Sequence, residues 1–508
     1  MNIRIQTALL TVGLLAGGCS TIENNHRQKA DMMATWTAGD TVGAQRLMDR
    51  KLAPRYWWRF WWPWDSCNGS GDELVWRLES GTMAFTTGRH GDAIQEFKTC
   101  ETLIKEYDDR ATVSVRDIGS EVASALTNPN SLPYRGWCRD RMGVEIFKSL
   151  AYLGEGREES FRSQVKRLRQ RHKDIQDKYK AYFKQENAEM AKAKKKNADA
   201  AKKASQVGSE SYLVSKSADY RQSLADMRKV AHRGYGTFLN PLGLYLSALG
   251  NIRDGNWENA KIDTERLHKA LPSNLFASML HAETLRQAGR EVPADLAAVN
   301  SKIDYPMDRD CVYVIFANGR GAALEQQTLK TDVIIVAWPK CVFFDADYSY
   351  AAVTGGGRTT YTRTLADMDA ILAEEFNERL PGIITRTVIS TLVKEGAFRG
   401  GQVATLYASN NWKVKLGTYI AVTLFGWTYR EAMNTADTRS WETLPKEFQV
   451  TQIPLPADRK LNVKLVGARC TDRSFSVEIP AASRSAILYI GAPSPSNVRY
   501  MVLPFNSK

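Results

Sequence analysis

The chain has 508 residues and a mass of 57.0 kDa, which is too long for one ordinary core and predicts about three structural units. Hydrophobic residues make up 43% and charged residues 25% of the chain, a composition that excludes an intrinsically disordered protein. The formal net charge of +13 would suit nucleic acid or an anionic surface, so its position along the chain decides between partners.

The first twenty residues resemble a bacterial lipoprotein signal. Arg4 precedes an apolar run over residues 8–16, and small residues then lead to Cys19. The run is too short to span a bilayer comfortably and is typical of an export signal. We expect residues 1–18 to be removed and Cys19 to carry lipid, with Ser20 favouring the bacterial outer membrane and a periplasm-facing protein. The alternative is an ordinary cleaved signal without lipid.

An aromatic cluster follows at residues 56–64, with the sequence YWWRFWWPW. Nine residues cannot span a membrane, and Pro63 disfavours continuing a helix through the end of the run. Three roles stay open: burial against the first helical repeat, insertion at a membrane interface beside the lipid anchor, or stacking on sugars. The candidate ligand or partner contacts in this cluster are Trp57, Trp58, Trp61 and Trp62.

Three stretches resemble tetratricopeptide helix pairs, in which a small residue on one helix packs against the partner helix. In each, a glycine and a polar residue break the helix before an alanine-bearing second helix. They predict helical repeat regions over residues 19–155 and 216–296. Stacked pairs form a concave groove, which predicts binding of a peptide or partner protein. The marker residues are Gly39, Asp40 and Ala44, then Gly81, Ala93 and Phe97, and finally Ala248, Ala260 and Pro272.

Most of the net charge lies between these regions. From Phe161 to Ala204 there are fifteen Lys and Arg against five acids, a net of +10. Apolar and aromatic residues alternate steps of four and three, which predicts a coiled-coil-like basic arm over residues 156–215. The seam is Phe161, Val165, Leu168, His172, Ile175, Tyr179 and Tyr182, and a returning strip is predicted at Leu213, Tyr220, Leu224 and Met227.

The basic arm has two interpretations. A solvated helix face is the simpler one, and contact with anionic lipid or polysaccharide is the other. We expect no nucleic-acid partner, because the chain is predicted to be exported. Any binding to an anionic surface should weaken as the salt concentration rises.

Residues 297–508 change to short β-rich runs separated by turn residues, which predicts a mainly antiparallel β domain. The runs are CVYVIFA, DVIIVAWPKCVFF, YSYAAVTG, FQVTQIPL, LNVKLVG, RSFSVEI and SAILYIG. Helical spacing over residues 364–398 predicts an inserted helical pair with a break or kink at Pro381. The apolar run over residues 416–427 is too short for a membrane span and is interpreted as a buried element. The whole chain is therefore predicted to be an α+β protein, with helical repeats first and a β domain last.

No catalytic motif emerges, and we expect the protein not to be an enzyme. The Gly-rich stretch VTGGGRTTY (353–361) lacks the Lys and Ser/Thr of a phosphate loop and is interpreted as a hairpin turn. Several carboxylates on the predicted helix do not share one face, which favours a solvated acidic face over paired catalytic acids. These carboxylates are Asp367, Asp369, Glu374, Glu375 and Glu378.

Two loop motifs offer further candidate ligand or partner contacts. LPYRG contains Tyr134 and Arg135, and ADTRSW contains Asp437, Arg439 and Trp441. Each motif could bind a carboxylate or a sugar, but an Arg–Asp pair that fixes a loop is the favoured interpretation.

Six cysteines remain after Cys19, and the oxidising periplasm permits disulfides. We expect a disulfide between Cys311 and Cys341, although six cysteines allow fifteen connectivities. The six histidines are scattered and no two cysteines form CxxC, so neither a metal site nor a cofactor is expected.

Four stretches, in this order behind the lipid-attachment sequence, resemble an uncharacterised bacterial lipoprotein family with tetratricopeptide-like repeats. They are TNPNSLPYRG (127–136), LNPLGLYLSALGNIRDGNWENA (239–260), TLADMDAILAEEFNERLPGIITR (364–386) and ADTRSWETLP (436–445). The resemblance implies an exported helical-repeat lipoprotein with an additional C-terminal domain, and it supplies no activity or catalytic residue. The aromatic cluster and the basic arm depart from the family.

We therefore expect an outer-membrane-anchored periplasmic lipoprotein that acts as a scaffold or accessory factor in cell-envelope assembly, through protein–protein binding. One alternative is a module that binds peptidoglycan or another carbohydrate. The other is an envelope-glycan enzyme with its site in the C-terminal domain.

Overall fold

The computed structural model forms fourteen helices and eleven strands in the part of the chain that it describes. Helices occupy the described chain up to residue 300 and the strands begin at residue 311, so the predicted α+β class and its order are confirmed. The described residues are 25–54, 66–114, 133–196, 198–236, 239–300, 310–330, 335–407 and 435–506. The predictions at Cys19, at the aromatic cluster and at residues 416–427 lie outside them.

Thirteen of the described helices precede the strands. The first five are α1 (Asn25–Thr37), α2 (Thr41–Lys51), α3 (Glu73–Thr86), α4 (His90–Ser114) and α5 (Cys138–Gly154). The others are α6 (Glu158–Lys196), α7 (Ala198–Val207), α8 (Glu210–Lys216), α9 (Ala218–Ala231), α10 (Pro241–Arg253), α11 (Trp257–Ala270), α12 (Leu275–Gln287) and α13 (Ala294–Asn300).

The three predicted helix pairs are confirmed as α1–α2, α3–α4 and α10–α11, whose members pack together. Gly81 on α3 shows why a small residue is needed, because a Cβ atom there would lie 2.6 Å from the ring of Phe97 on α4. The marker alanines of the second helices, Ala44, Ala93 and Ala260, are completely buried. The small residues therefore allow close packing within each pair.

A similar turn joins the two helices of each pair. Gly39, Gly88 and Gly255 have φ values of 87°, 79° and 69°, the left-handed region that favours glycine after a helix. Asp40 and Asn256 follow the first and the last of these glycines, and their side chains cap the next helix. The pattern of glycine and polar residue thus identified these turns from the sequence.

The strands form three sheets. They are β1 (Cys311–Asn318), β2 (Ala323–Lys330), β3 (Ile335–Val342), β4 (Tyr348–Gly355), β5 (Arg358–Tyr361), β6 (Arg363–Asp367), β7 (Glu447–Pro454), β8 (Lys460–Gly467), β9 (Arg473–Glu478), β10 (Ala486–Ser494) and β11 (Asn497–Pro504). One sheet has the order β11-β10-β1-β7-β6, another has the order β5-β4-β8-β9, and β2 pairs with β3 as a hairpin. Of the described pairs only β1–β10 is parallel, so the mainly antiparallel prediction is confirmed.

Strand β1 shows how the layers are arranged, because all eight of its residues are buried. Val312, Val314 and Phe316 face the four-stranded sheet and share a core with it. Tyr313 and Ile315 point to the other side, into the core that the helices form. The five-stranded sheet is therefore the middle layer, with the helices on one face and the second sheet on the other.

A fourteenth helix, α14 (Met368–Tyr407), lies between β6 and β7 in the chain. A break was one of the two possibilities predicted at Pro381, and it does not occur, because the helix continues through the proline. Met368–Tyr407 therefore form one helix rather than the predicted pair. Leu380, Ile384 and Val388 are buried on successive turns around it, and this packing stabilises the helix where the proline removes a backbone hydrogen bond.

The predicted hairpin turn at residues 353–361 is confirmed. Gly355 pairs with Arg358, and Gly356 and Gly357 between them have φ values of 56° and 77°. Positive φ at both central residues is typical of the tight turn that joins two antiparallel strands.

Helix α6 is continuous over 39 residues, and its predicted seam is buried at Phe161, Val165, Leu168, His172 and Tyr179. This seam contacts α5 and α10. The predicted returning strip is also buried, but it packs mainly against α14 and β3 rather than along α6. The coiled-coil pairing is therefore wrong, because these elements cover the apolar stripe that α6 was expected to cover.

Candidate functional site in the groove between the helices and the sheet

Residues 436–445, which we name the groove segment, run between α1, α3 and α5 just before β7. The segment is the ADTRSWETLP motif, and every residue in it except Asp437 is buried. The concave groove, which was predicted to receive a peptide or a partner protein, therefore holds a part of the same chain.

Three side chains from the helical region bind consecutive carbonyl groups of the groove segment. Trp137 donates its indole N–H to the carbonyl oxygen of residue 439 at 3.3 Å. Lys29 donates to the carbonyl oxygen of residue 440, and Arg139 donates to that of residue 441 at 3.1 Å. The helices thus recognise the backbone of an extended segment, as a peptide-binding groove would.

Glu79 on α3 binds the next two backbone groups. Its two carboxylate oxygens accept hydrogen bonds from the N–H groups of residues 442 and 443, each at 2.9 Å. Both of its acceptor atoms are therefore used on the main chain of the groove segment. Backbone N–H groups bonded to a carboxylate form stronger hydrogen bonds than neutral pairs do.

The charge of Glu79 is balanced inside the protein. Lys29 Nζ lies 2.7 Å from its carboxylate, and both side chains are completely buried. Glu442 of the groove segment lies 3.9 Å from the same ammonium and pairs with Arg320 at 3.0 Å. A buried network of this kind is costly to interrupt, because removing one member leaves its partner charged and unsolvated.

Trp441 is the apolar anchor of the groove segment. Its indole N–H donates to the hydroxyl groups of Thr82 and Thr443, at 2.9 and 3.0 Å. The fully buried ring contacts Gly143 on α5, where a Cβ atom would lie 2.8 Å from it. Glycine at position 143 therefore makes room for the indole ring.

Arg439 confirms the favoured interpretation of its motif as a structural Arg–Asp pair. Its guanidinium binds Asp437 through two nitrogens, at 2.8 and 2.7 Å, and Asp72 through the third, at 2.9 Å. Burial opposes the charge of Arg439, but the two carboxylates outweigh burial and hold its pKa above the ordinary value. The pairs link the loop before α3 to the groove segment.

Tyr134 and Arg135, which were candidate ligand contacts, serve internal packing instead. The hydroxyl of Tyr134 donates to Asp140, and burial raises the pKa of this 5%-exposed phenol. Arg135 donates to Asp108 at 2.9 Å, and Arg141 binds the same carboxylate at 2.8 and 2.9 Å. Burial opposes the charge of Asp108, but Arg141 and Arg135 lower its pKa. The LPYRG motif thus agrees with its favoured interpretation, a structural Arg–Asp pair, which is formed here between Arg135 and Asp108.

The predicted solvated acidic face is wrong for Asp369 and Glu375 on α14, whereas Glu378 on the same helix is exposed as predicted. Asp369 is fully buried, accepts a hydrogen bond from the N–H of Ala322 at 2.7 Å and pairs with Lys446 at 2.7 Å. Burial outweighs the attraction of Lys446 and raises the pKa of Asp369 to about 6. Glu375 accepts a hydrogen bond from the N–H of Cys138 at 2.7 Å, and burial raises its pKa too. These acids join α14 to neighbouring elements.

The predicted disulfide between Cys311 and Cys341 is not formed. Cys311 begins β1, where its N–H donates to Ser485 Oγ at 3.2 Å, whereas Cys341 lies opposite Leu324 in the β2–β3 hairpin. The two residues therefore belong to different sheets. Burial raises the pKa of the Cys341 thiol, which makes it a poor nucleophile.

Several basic residues near the start of α6 are paired with acids of the body. Arg162 and Lys166 bind Asp254 at 3.0 and 2.5 Å, and Arg169 binds Asp263 at 2.6 Å. These ions hold α6 against α10 and α11. Arg162, Lys166 and Asp254 also line part of an open cleft of about 910 Å³ at the start of α6, so two of the basic residues in this cleft are paired with an acid of the same chain.

Among the residues that the structure describes, no group of three or more His, Cys, Asp or Glu side chains is arranged to hold a metal ion. No helix in those same ranges combines the length and the apolar character needed to cross a membrane. Comparisons of the chain with protein-family models, with curated proteins and with solved structures found no match.

Sequence reasoning missed Lys29 and Glu79, although a signal for each was present. Lys29 shares a helical stripe with the buried residues Met32, Met33 and Trp36, and Glu79 shares one with Val75, Trp76, Thr82 and Met83. Spacings of three, four and seven place each charge within an apolar face. A charged residue in such a position indicates a buried partner.

Proposed function

We propose that this protein is an outer-membrane-anchored periplasmic lipoprotein that works by binding, as a scaffold or accessory factor in cell-envelope assembly. Support comes chiefly from the groove segment. Its buried contacts with Lys29, Glu79 and Arg139 join the helical and β regions into one body with a shared core. A joined body of this kind suits a protein that holds partners in fixed positions.

Occupation of the groove moves the proposed partner contact to the outer surface. Large apolar side chains are exposed there at Val42 on α2, Ile262 on α11 and Tyr361 on β5, with exposed fractions of 60%, 38% and 55%. These positions lie on three separate elements and provide starting points for locating the partner.

Site-specific photocrosslinking tests the scaffold. A photoreactive amino acid would be placed singly at Val42, Ile262 or Tyr361 of the full-length chain, and intact cells would be irradiated before affinity purification and mass spectrometry. We expect at least one position to give a reproducible adduct with an envelope protein that is missing without irradiation. Adducts at none of the three positions would contradict a protein-binding scaffold.

Metabolic labelling with palmitate tests the lipid anchor. We expect palmitate label in the wild-type chain and in Cys67→Ala, and no palmitate label in Cys19→Ala. Cys67 is the matched control, since it is the next cysteine in the chain and is half-buried. Label that persists in Cys19→Ala would contradict lipid attachment at this residue.

A carbohydrate-binding module is a second candidate, supported by one aromatic pair. The rings of Phe475 and Tyr500 stack with centroids 4.7 Å apart and 7° between their planes, and Tyr500 is 45% exposed. A flat ring with an open face can stack on a sugar. A pull-down with purified peptidoglycan should then lose retention with Tyr500→Ala but not with Tyr361→Ala, and equal retention would reject this candidate.

A further inference from the structure

From residue 173 onward, α6 carries lysines that differ from the paired basic residues near its start. Lys173, Lys180, Lys184 and Lys195 are all exposed, and none makes an ion pair with a described side chain. We name these four residues the lysine stripe. By contrast, Lys178 binds Asp108 at 3.2 Å and the basic residues near the start of α6 bind acids of α10 and α11. Most of the unpaired positive charge that the structure describes on α6 therefore lies at residue 173 and beyond.

The spacing of the lysine stripe places its members on one side of the helix. Intervals of seven, four and eleven residues are close to whole numbers of turns, so the four side chains fall within about 60° around the axis. They extend over about 33 Å along it, at about 1.5 Å per residue. The buried seam lies on another side of α6, so the stripe faces away from the body.

The chemistry of the stripe indicates diffuse charge attraction. Beyond Arg171, α6 contains lysines but no further arginine. Lysine presents a point charge and lacks the planar fork that arginine offers to individual phosphates. The exposed neighbours Ala181, Ala188 and Ala191 are too small to insert into a membrane core. Asp177 is the one described acid on the same side of α6 as the lysine stripe. This side of the helix therefore has a net charge of +3 over residues 173–195.

From this arrangement we infer that the lysine stripe binds the surface of a membrane that contains anionic phospholipids. A straight row of ammonium groups can reach one plane together, and each lysine near an anionic bilayer contributes favourably. This second contact would orient the body relative to the proposed lipid anchor, because a protein held at two separate points cannot turn freely at the membrane surface. The inference uses the proposed function only for the presence of a membrane.

Flotation with lipid vesicles tests this inference on the full-length protein. Vesicles of pure phosphatidylcholine would be compared with vesicles that contain about 30% phosphatidylglycerol, which gives a negative surface potential. Since any lipid anchor contributes to both vesicle types, the ratio of the two partition coefficients isolates the electrostatic contact. We expect that ratio to fall at least about tenfold in Lys173→Gln/Lys180→Gln/Lys184→Gln/Lys195→Gln.

The matched control removes four exposed lysines elsewhere, in Lys98→Gln/Lys105→Gln/Lys229→Gln/Lys460→Gln. It has the same net charge as the stripe variant and should keep the wild-type ratio. Circular dichroism would verify that both variants are folded. Near 1 M NaCl, where the screening length is about 3 Å, the preference of the wild type for anionic vesicles should disappear.

Three results would overturn the inference. They are a wild-type ratio near one, equal ratios in the stripe and control variants, and stripe-dependent retention on dextran sulfate beads without any preference for anionic vesicles. The last result would assign the stripe to a soluble polyanion. None of these outcomes depends on the palmitate or photocrosslinking experiments, so the membrane contact and the scaffold can fail separately.

Discussion

Glu79 on α3 accepts a hydrogen bond from the backbone N–H of Glu442, 363 positions later in the chain. The same carboxylate pairs with Lys29, which in turn donates to the carbonyl group of residue 440. One buried ion pair thus binds backbone C=O and N–H groups of the groove segment and holds the segment against two helices. The strength of the contact between the helical and β regions depends on this pair.

Replacing Glu79 by alanine should destabilise the protein strongly. The change leaves Lys29 charged and buried and removes the acceptors of two N–H groups, so we expect a loss of about 3–5 kcal/mol in the free energy of unfolding. Urea titration followed by tryptophan fluorescence measures it. Asp92→Ala is the control, because Asp92 is 65% exposed in its ion pair with Arg89 and should contribute less than about 1 kcal/mol. Equal effects of the two substitutions would show that the pair does not hold the segment.

Replacing Gly143 by alanine should push the Trp441 ring out of position. The new methyl group would lie 2.8 Å from the ring, and overpacking of this kind costs about 1–3 kcal/mol. Gly382→Ala on α14 is the control, because nothing lies within 4 Å of its Cβ position and alanine favours helix by about 1 kcal/mol. The melting temperature should therefore fall in Gly143→Ala and rise in Gly382→Ala. A lower melting temperature for both would point to backbone effects instead.

Asp369 should increase the free energy of unfolding as the pH falls. Its pKa is about 6 in the folded protein and about 3.9 in an unfolded chain, so the folded state binds the proton more tightly. Its contribution to stability therefore increases as the pH falls through 6 and is complete below about 4. Asp369→Asn cannot titrate and lacks this gain.

The measurement compares unfolding free energies of the wild type and of Asp369→Asn between about pH 7.5 and pH 4. The difference should shift by about 2–3 kcal/mol in favour of the wild type at the lower pH. Asp92→Asn, at an exposed position, should show little change. A difference that does not vary with pH would mean that Asp369 stays ionised throughout this range.

Reducing agent should not change the thermal stability of the folded protein. Cys311 and Cys341 are not joined, and a disulfide would normally contribute about 2–4 kcal/mol. The melting temperature with and without dithiothreitol should therefore agree within about 1 °C, and the same agreement is expected for Cys341→Ala. A drop that occurs only in the wild type on reduction would reveal a bond between these residues.

Local signals in the sequence predicted the interior of the fold well. The apolar runs of β1 and β10 and the helix-pair turns at Gly39 and Gly255 all appear where expected, because each depends on neighbours within a few residues. The strands that lie outside the predicted runs and the predicted hairpin, β2, β6 and β11, are edge strands or belong to the two-stranded hairpin. Such strands need fewer apolar residues, and their pattern is therefore weak.

The groove segment could not be placed from the sequence. Trp441 and Arg439 stood out as a motif, and their internal role was favoured, but their partners on α3 and in the loop before it lie far away in the chain. Periodicity identifies that Glu79 is buried without naming what it binds. The identity of a distant partner depends on how the whole chain folds.

The separation between Lys29 and the carbonyl group it binds, 411 positions, has a consequence for biogenesis. If the chain crosses a membrane from its N-terminus, α1 and α3 emerge long before the residues that complete their groove. Until then the charges of Lys29 and Glu79 lack their final backbone partners, and the rings of Phe85 and Phe97 are not yet covered by Tyr489 and Trp441. Contacts between residues this far apart in sequence form slowly. Packing of the first helices is therefore complete only after nearly the entire polypeptide has crossed the membrane.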